Sequence, residues 1–571
     1  MRTVRMKAVG ALAAAALAGC TSSSDGGSAA ESSSSPTAVG GAQSAAAVLG
    51  ADEEAHAVDA SVADAEDLAL DGDPVTVTSE GTYRLSGKLT DGQVVVNVPE
   101  GKVTLVLDGV DITSSTGPAI EASEVDELTV VLADGSENTL TGSHDEDAVL
   151  DSAGDLTVTG KGSLTVHGDG NDGIASSDGL VIASGTVTVE AEDDGIRGKD
   201  YLVVRGGTVT VKAGGDGLKS DNSEDTKAGY IMVSGGAVKA RSAGDGVDAA
   251  TDLVVTGGSL DVTSDSASSS AHGLKAGVIA VLEAGAITVD SSADAVHSDA
   301  AVHFNGAKVT LAAGDDGVHA EGELVISKGE LEITKSNEGL EGKDILVRGG
   351  TSKVTSNDDG VNASGSEASS DDQGGGFGGG PGGGEGTGDY TATITGGTLV
   401  VNAEGDGFDS NGTAEITGGT LVVNGPQQGG NGALDVNGSF TVSGGELLAS
   451  GSAGMVVAPD SESGQGWLSA TLDSSVEAGT TLHIVDSDGT VVASYVTSKA
   501  IQNIVYSGEG IESGEEYKVY AGGGVSGTST GGLAEKGELG SGSAKAEVIA
   551  TVTAGEAPEG GGFGGGPGRR Q

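Results

Sequence analysis

Between about Val75 and Ser450 apolar residues come in short runs, and no 3.6-residue rhythm competes with them. Three kinds of run recur in a fixed order. The first is Asp-Gly followed by an apolar residue, as in Asp172-Gly173-Ile174, Asp194-Gly195-Ile196, Asp216-Gly217-Leu218 and Asp245-Gly246-Val247. The second is a triplet such as Leu202-Val203-Val204, Leu253-Val254-Val255 or Ile345-Leu346-Val347. The third follows a glycine pair: Gly206-Gly207 precedes Val209-Thr210-Val211, and Gly257-Gly258 precedes Leu260-Asp261-Val262. Runs this short, bounded by Gly, Asp and Ser, predict strands and turns rather than helices.

Further copies of the first run are His272-Gly273-Leu274, Asp294-Ala295-Val296, Asp316-Gly317-Val318, Glu338-Gly339-Leu340, Asp359-Gly360-Val361 and Asp406-Gly407-Phe408. Successive first positions lie 22, 22, 29, 27, 22, 22, 22, 21 and 47 residues apart. The 29 and 27 imply loop insertions, and the 47 is one repeat plus a Gly-rich insert between about Ser364 and Gly388. A fixed period in this range means a repeat architecture. Three strands per coil predict an all-β fold, a parallel β-helix. A lone coil cannot bury its inward residues, so neighbours must stack. Some twelve to fourteen coils at about 4.8 Å each make a rod roughly 60 Å long. The segments around Val103–Leu107 and Leu128–Leu132 are less regular and read as a cap. After about Gly454 the repeat stops, and Leu482–Val485, Val491–Tyr495 and Tyr517–Tyr520 read as antiparallel strands of a small C-terminal β cap. Such a cap is expected because an open solenoid end is an aggregating edge. The expected layout is a signal peptide at 1–19, a Ser/Ala/Gly-rich tether and acidic segment at 20–72, the solenoid at 73–453 with its insert at 364–388, the cap at 454–552, and a Gly-rich disordered tail at 553–571.

Strand alternation turns the apolar residue of each Asp-Gly-apolar run inward and the next residue outward. The outward row reads Arg197, Lys219, Asp248, Lys275, His297, His319, Glu341, Asn362 and Asp409. Of these, Arg197, Lys219, Lys275, His297, His319 and Glu341 are the candidate ligand-binding positions. The motif aspartates lie beside that row and are often doubled. Stacked carboxylates repel each other and have raised pKa values unless neutralised. Calcium, which takes six to eight oxygen ligands in tolerant geometry, is the natural neutraliser outside a cell. Local turn chemistry competes with it, since Asp accepts local hydrogen bonds and Gly accepts positive φ. The doubled sites fit either account; the single ones fit turn chemistry. His272, His297, His303 and His319 read as solvated residues rather than a transition-metal site.

Composition narrows the function. Asp+Glu number 85 against 28 Lys+Arg, a formal net charge of -57. Such a surface excludes nucleic acid as partner, because phosphates need Lys and Arg. Aromatic residues are 2%, so Val, Leu and Ile must supply the interior. Cys20 is the only cysteine, which rules out an intramolecular disulfide. Arg2, Arg5 and Lys7 precede a short apolar stretch, Ala8–Ala16, and Leu17-Ala18-Gly19-Cys20 resembles a bacterial lipobox. That resemblance implies cleavage before Cys20 and a lipid anchor on it, at the outer face of the cell membrane, with no later segment long enough to span a bilayer.

The repeat resembles the bacterial carbohydrate-binding parallel β-helix proteins, a pectate-lyase-like family. The likeness is carried by Asp193-Asp194-Gly195-Ile196-Arg197-Gly198-Lys199-Asp200, Asp315-Asp316-Gly317-Val318-His319-Ala320, Gly432-Ala433-Leu434-Asp435-Val436-Asn437-Gly438 and, near the end, Ile501–Ser507 and Gly514–Tyr517. It implies a right-handed helix, polysaccharide binding and calcium at the acidic turns, here Asp193, Asp194, Asp216, Asp315, Asp316, Asp358 and Asp359.

The expected function is therefore a non-catalytic, calcium-containing polysaccharide-binding protein, anchored by lipid and monomeric. Trp467 is the only tryptophan, and Tyr201, Tyr230 and Phe408 are scattered, so an acidic or envelope glycan fits better than crystalline cellulose. The alternatives are a calcium-dependent polysaccharide lyase, with Arg197 or Lys219 as base, and an envelope adhesin or spacer.

Overall fold

The fold is a computed structural model, which describes residues 43–49, 62–143, 148–265, 270–365, 387–541 and 545–556. Apart from the short helix Ala45–Leu49, every regular element among them is a strand. The repeats stack into a parallel β-solenoid of about 15 turns. Each turn gives one strand to each of three parallel sheets. After Asp194 these strands are Ile196–Gly198, Tyr201–Val204 and Thr208–Ala213, in the first, second and third sheet respectively. Each pairs with its counterpart one turn on, so that Arg197 lies beside Lys219, Leu202 beside Ile231 and Val209 beside Val238.

Stacking in register turns the repeat into columns of like side chains. In the second sheet Leu156, Leu180, Leu202, Ile231 and Leu253 follow one another and are fully buried. Each such side chain contributes about 1.5–3 kcal/mol of burial free energy. Further along, the column narrows to Ala392 and Ala414 and then closes on Phe440, so one large ring fills space beside two small residues.

The glycine of Asp-Gly does not serve the purpose expected of it. Positive φ falls on the second glycine of the glycine pairs, as at Gly207 (83°) and Gly258 (76°). The Asp-Gly glycines are required by close approach instead. A Cβ on Gly195 would stand 2.6 Å from the Gly217 carbonyl oxygen of the next turn and 2.2 Å from Val211 Cγ1.

The less regular segments around Val103–Leu107 and Leu128–Leu132 are turns of the solenoid, inside the bounds expected for it. Val75, Val94, Ile120, Leu150 and Ile174 form one inward column. Their spacings of 19, 26, 30 and 24 residues hid the period. The insertions also resolve: the 29-residue spacing is a loop at 221–229 between the first and second sheets, and the 27-residue spacing lies between Ser264 and Leu274, from the third sheet to the first.

At the far end Ile501–Ser507 runs antiparallel to Glu446–Gly451 and stops the parallel ladder of the third sheet, with Trp467–Val476 on its other side. A six-stranded antiparallel sheet then spans Thr481 to Thr553. It shares one apolar cluster with the outward-facing Val400, Val422 and Leu448, and the Tyr495 hydroxyl donates to Asn424 Oδ1 at 2.6 Å.

Residues 43–49 belong to the stretch read as a tether, and they are docked. Ala45 is buried against Val254, Ile279 and Val281 on the outer surface of the second sheet. The Gln43 N–H donates to His303 Nδ1 at 2.8 Å, and the Ala45 N–H to Glu283 Oε2 at 2.9 Å. The signal segment, Cys20, most of the Gly-rich insert (366–386) and the tail beyond residue 556 lie outside the described residues. No helix among those described is long and apolar enough to cross a membrane.

Candidate functional site

The three-residue strands of the first sheet bury their first and third residues and turn the middle one outward. Strand pairing therefore builds one continuous outward row: Arg197, Lys219, Asp248, Lys275, His297, His319, Glu341, Asn362, Asp409 and Asp435. All six positions expected to bind ligand lie in it. Asp435 extends it by one turn. Gly432-Ala433 replaces Asp-Gly there and masks the repeat in the sequence, although Leu434 keeps the inward apolar position.

Beside this row runs a second one, made by the first residue of each motif. Its carboxylates accept backbone hydrogen bonds from the next turn rather than from their own. The Asp216 N–H donates to Asp194 Oδ1 at 2.8 Å, the Asp245 N–H to Asp216 Oδ1 at 2.7 Å, and the His272 N–H to Asp245 Oδ1 at 2.7 Å. After His272 the ladder resumes, with the Asp316 N–H on Asp294 Oδ1 at 3.1 Å and the Asp406 N–H on Asp359 Oδ1 at 2.6 Å. One oxygen of each of these aspartates thus holds the stack together, and the other faces the outward row.

How that second oxygen is neutralised changes along the face. In the first part the partners are cations. Arg197 Nε lies 2.8 Å from Asp172 Oδ2, and Lys219 Nζ bridges Asp194 Oδ2 (3.0 Å) and Asp216 Oδ2 (2.8 Å). Lys275 Nζ reaches Asp245 (3.2 Å) and Asp248 (3.4 Å). Burial opposes the charge on Arg197, Lys219 and Lys275, but the carboxylates outweigh it and hold all three more firmly protonated than in water. Lys219 thus stands between the carboxylates of Asp194 and Asp216.

In the middle the partners are imidazoles. The rings of His272, His297 and His319 follow one another at centroid distances of 4.7 and 5.1 Å, the first pair tilted and the second edge to face. They are not free in solvent as expected, because each has a carboxylate within 3.7 Å. His303 is apart from them, buried on the second sheet between Gln43 and Glu323.

In the last part no Lys or Arg takes that role among the described residues. Glu338, Asp359, Asp406 and Asp409 form no ion pair with Lys or Arg among the described residues. Burial, reinforced by Asp435, Asp359 and Asp406, pushes the Asp409 carboxyl up to about 8. Burial is also the main cause at Glu338, pushed up to about 7, at Asp359, pushed up to about 6, and at Asp316, which is raised as well. Asp358 Oδ1 and Asp359 Oδ1 converge on one backbone position, Gly405, where a Cβ would stand 2.3 and 2.5 Å from them.

The expected metal residues therefore divide. Asp193 and Asp194 bring oxygens together with Asp172, and Asp316 with Glu338 and Glu341, each set within 4.8 Å. Asp358 and Asp359 meet at Gly405. Asp216 is held by Lys219, and Asp315 joins no such set among the described residues. A groove of about 280 Å³ lies elsewhere, on the outer surface of the third sheet between Lys308, Glu330 and Lys353, and holds no part of this face.

A parallel β-solenoid with one long charged face, closed by an antiparallel cap, is the class of protein this geometry defines. The chain belongs to the family of carbohydrate-binding domain-containing proteins, whose model matches residues 71–317 and 314–533. A carbohydrate-binding domain-containing protein of Acetivibrio thermocellus is 35% identical over 135 residues, which are 22% of this chain and 47% of that protein. The chain thus spans about half the length of the curated relative it matches. A solved structure described as a polysaccharide lyase-like protein from C. thermocellum, a gadolinium derivative, aligns at 27% identity with a TM-score of 0.33, covering 46% of this chain and 96% of that one.

Proposed function

We propose that the chain is a non-catalytic polysaccharide-binding protein, that the outward row of the first sheet is its ligand face, and that calcium completes the acidic end of that face. The observation that carries this reading is the row itself. Ten polar side chains stand in strand register, about 4.8 Å apart, with Arg197, Lys219 and Lys275 at one end, interrupted by Asp248, and Glu341, Asn362, Asp409 and Asp435 at the other. Such a row suits an extended acidic chain: its carboxylates can meet Arg197, Lys219 and Lys275 at one end and share bound cations at the other.

The donor sets fit calcium. Asp359, Asp406 and Asp409 are close acids whose burial leaves them costly to ionise, Asp358 and Asp435 lie beside them, and all five offer oxygen, the donor that calcium takes. Asp316, Glu338 and Glu341 are a further set. Among the described residues no aromatic platform for crystalline cellulose lies on this face. Trp467 is buried and donates its Nε1–H to the Asp460 carbonyl at 3.2 Å, and Tyr201 stacks on Tyr230 on the second sheet. A lyase base must give up its proton near neutrality, and the carboxylates around Arg197 and Lys219 oppose that. The lipobox reading places the chain on the outer membrane face through a lipid on Cys20.

Affinity electrophoresis of the full chain through gels carrying polygalacturonate, alginate or a neutral glucan, with calcium or with chelator, tests the proposal. Retardation in an acidic polymer, weakened by chelator, is expected. Equal mobility in every gel overturns the binding role, and growth of unsaturated product absorbance from polygalacturonate overturns the non-catalytic one.

A further inference from the structure

We propose that the middle of the face is a separate site for a divalent transition ion of the zinc class, held by His272, Asp294 and His297. Two rows that are elsewhere chemically distinct exchange roles here. In the motif row His272 replaces the usual aspartate, and in the outward row His297 replaces the lysine that stands one turn earlier at Lys275. The two imidazoles therefore approach the same oxygen from successive turns. His297 Nδ1 lies 2.9 Å and His272 Nε2 3.7 Å from Asp294 Oδ2. The three donor atoms lie within 4.8 Å of one another. Donors around a tetrahedral zinc ion, at about 2.0–2.1 Å from the metal, lie roughly 3.3 Å apart, between the two distances to Asp294 Oδ2.

Asp294 is built for the task. It is 5% exposed, and its other oxygen is fixed by the Asp316 N–H at 3.1 Å, so Oδ2 is aimed at the imidazoles. His272 Nδ1 is in turn held 3.2 Å from Asp245 Oδ1, the outer partner that orients a metal-bound histidine and fixes its tautomer. His297 Nε2 has the same arrangement with Asp299 Oδ1 at 3.2 Å. No Lys or Arg forms an ion pair with Asp294 among the described residues, whereas Lys219 and Lys275 neutralise the equivalent aspartates in earlier turns. Two nitrogens and one carboxylate oxygen suit zinc, and three protein ligands leave a coordination position open toward the partly exposed face. Calcium, which takes oxygen, would be served by the acidic turns instead.

Titration of the untagged full chain with Zn²⁺ by calorimetry near neutral pH, with Co²⁺ absorption as a reporter of nitrogen ligation, tests this. One tight Zn²⁺ per chain is expected, retained in the presence of excess calcium, with a visible Co²⁺ band. His272→Gln, His297→Gln and Asp294→Asn should each weaken binding by about tenfold or more. Asp294→Asn keeps an acceptor for the Asp316 N–H, so it separates loss of the ligand from loss of the stack. His167→Gln, at a half-exposed histidine elsewhere, should change nothing. Absence of stoichiometric binding, or binding that survives all three site variants, overturns the proposal, and unchanged melting of the variants shows that they are folded. The outcome is independent of whether any polysaccharide binds.

Discussion

At the scale of single residues the stack shows where the repeat has been pressed out of its best chemistry. Ser352 occupies the inward column of the third sheet between Leu331 and Leu399. It is 0% exposed, and its hydroxyl has no hydrogen-bond partner. A buried, unpaired hydroxyl costs about 1–3 kcal/mol. Ser352→Val restores the apolar column and should raise stability by about 1 kcal/mol or more, read as a higher melting temperature. The opposite holds at Gly195, where the next turn passes over the α-carbon. Ala295 and Ala433 fill the equivalent position in their own turns, so a methyl group is tolerated after local adjustment. Gly195→Ala should therefore destabilise by about 1–3 kcal/mol without abolishing the fold, as measured by denaturant unfolding.

Asp409 supports a prediction with a definite sign. Unfolded, its carboxyl titrates near about 3.9; folded, burial and the neighbouring Asp435, Asp359 and Asp406 raise it to about 8. A carboxyl with a raised folded value binds its proton more tightly in the folded chain. Its contribution is complete below about pH 4 and is lost as pH rises through about 8. Glu338, raised to about 7, acts in the same direction. In chelator the chain should melt higher near pH 5 than above pH 8. Asp409→Asn should flatten that slope, and calcium added at the higher pH should restore the lost stability. A melting temperature that rises with pH in chelator would contradict the assignment.

At the scale of elements, what could be read from the chain depended on which neighbour a residue meets. The coil, the outward row and all six of its marked positions were legible, because strand alternation and the 22-residue period determine them together. At Asp-Gly the relevant contacts are with the next turn, which local turn chemistry does not reveal: Asp194 accepts from the Asp216 N–H, and Gly195 makes room for Gly217. Neither contact is local in sequence. His272 was passed over as a ligand for the same reason. It converges with His297 only because a motif-row residue of one turn reaches the outward row of the next. The outer surface of the second sheet was equally hidden. In Leu253-Val254-Val255 the inward and outward positions are all apolar, so the triplet does not reveal that Val254 is covered by Ala45.

At the scale of the molecule the cap has two tasks that separate experimentally. Ile501–Ser507 closes the hydrogen-bonding edge of Glu446–Gly451, and the antiparallel sheet covers Val400, Val422 and Leu448, which face outward from the third sheet. The remaining turns depend only on their neighbours, as in any stacked repeat, so they should keep their structure when the cap is removed. A chain ending after Gly454 should retain its β-sheet circular dichroism yet associate, because it presents both an unpaired strand edge and an apolar surface. Light scattering should show growth of large species with concentration. Lysine at positions 422 and 448 of the shortened chain removes the apolar surface but leaves the edge. If the surface drives association, Val422→Lys with Leu448→Lys should restore a monodisperse chain. If the edge drives it, the double variant should still aggregate, and a proline within 446–451 should stop it. A shortened chain that stays monomeric without these changes would mean that neither the edge nor the surface needs its cover. The cap would then have no part in keeping the solenoid from self-association.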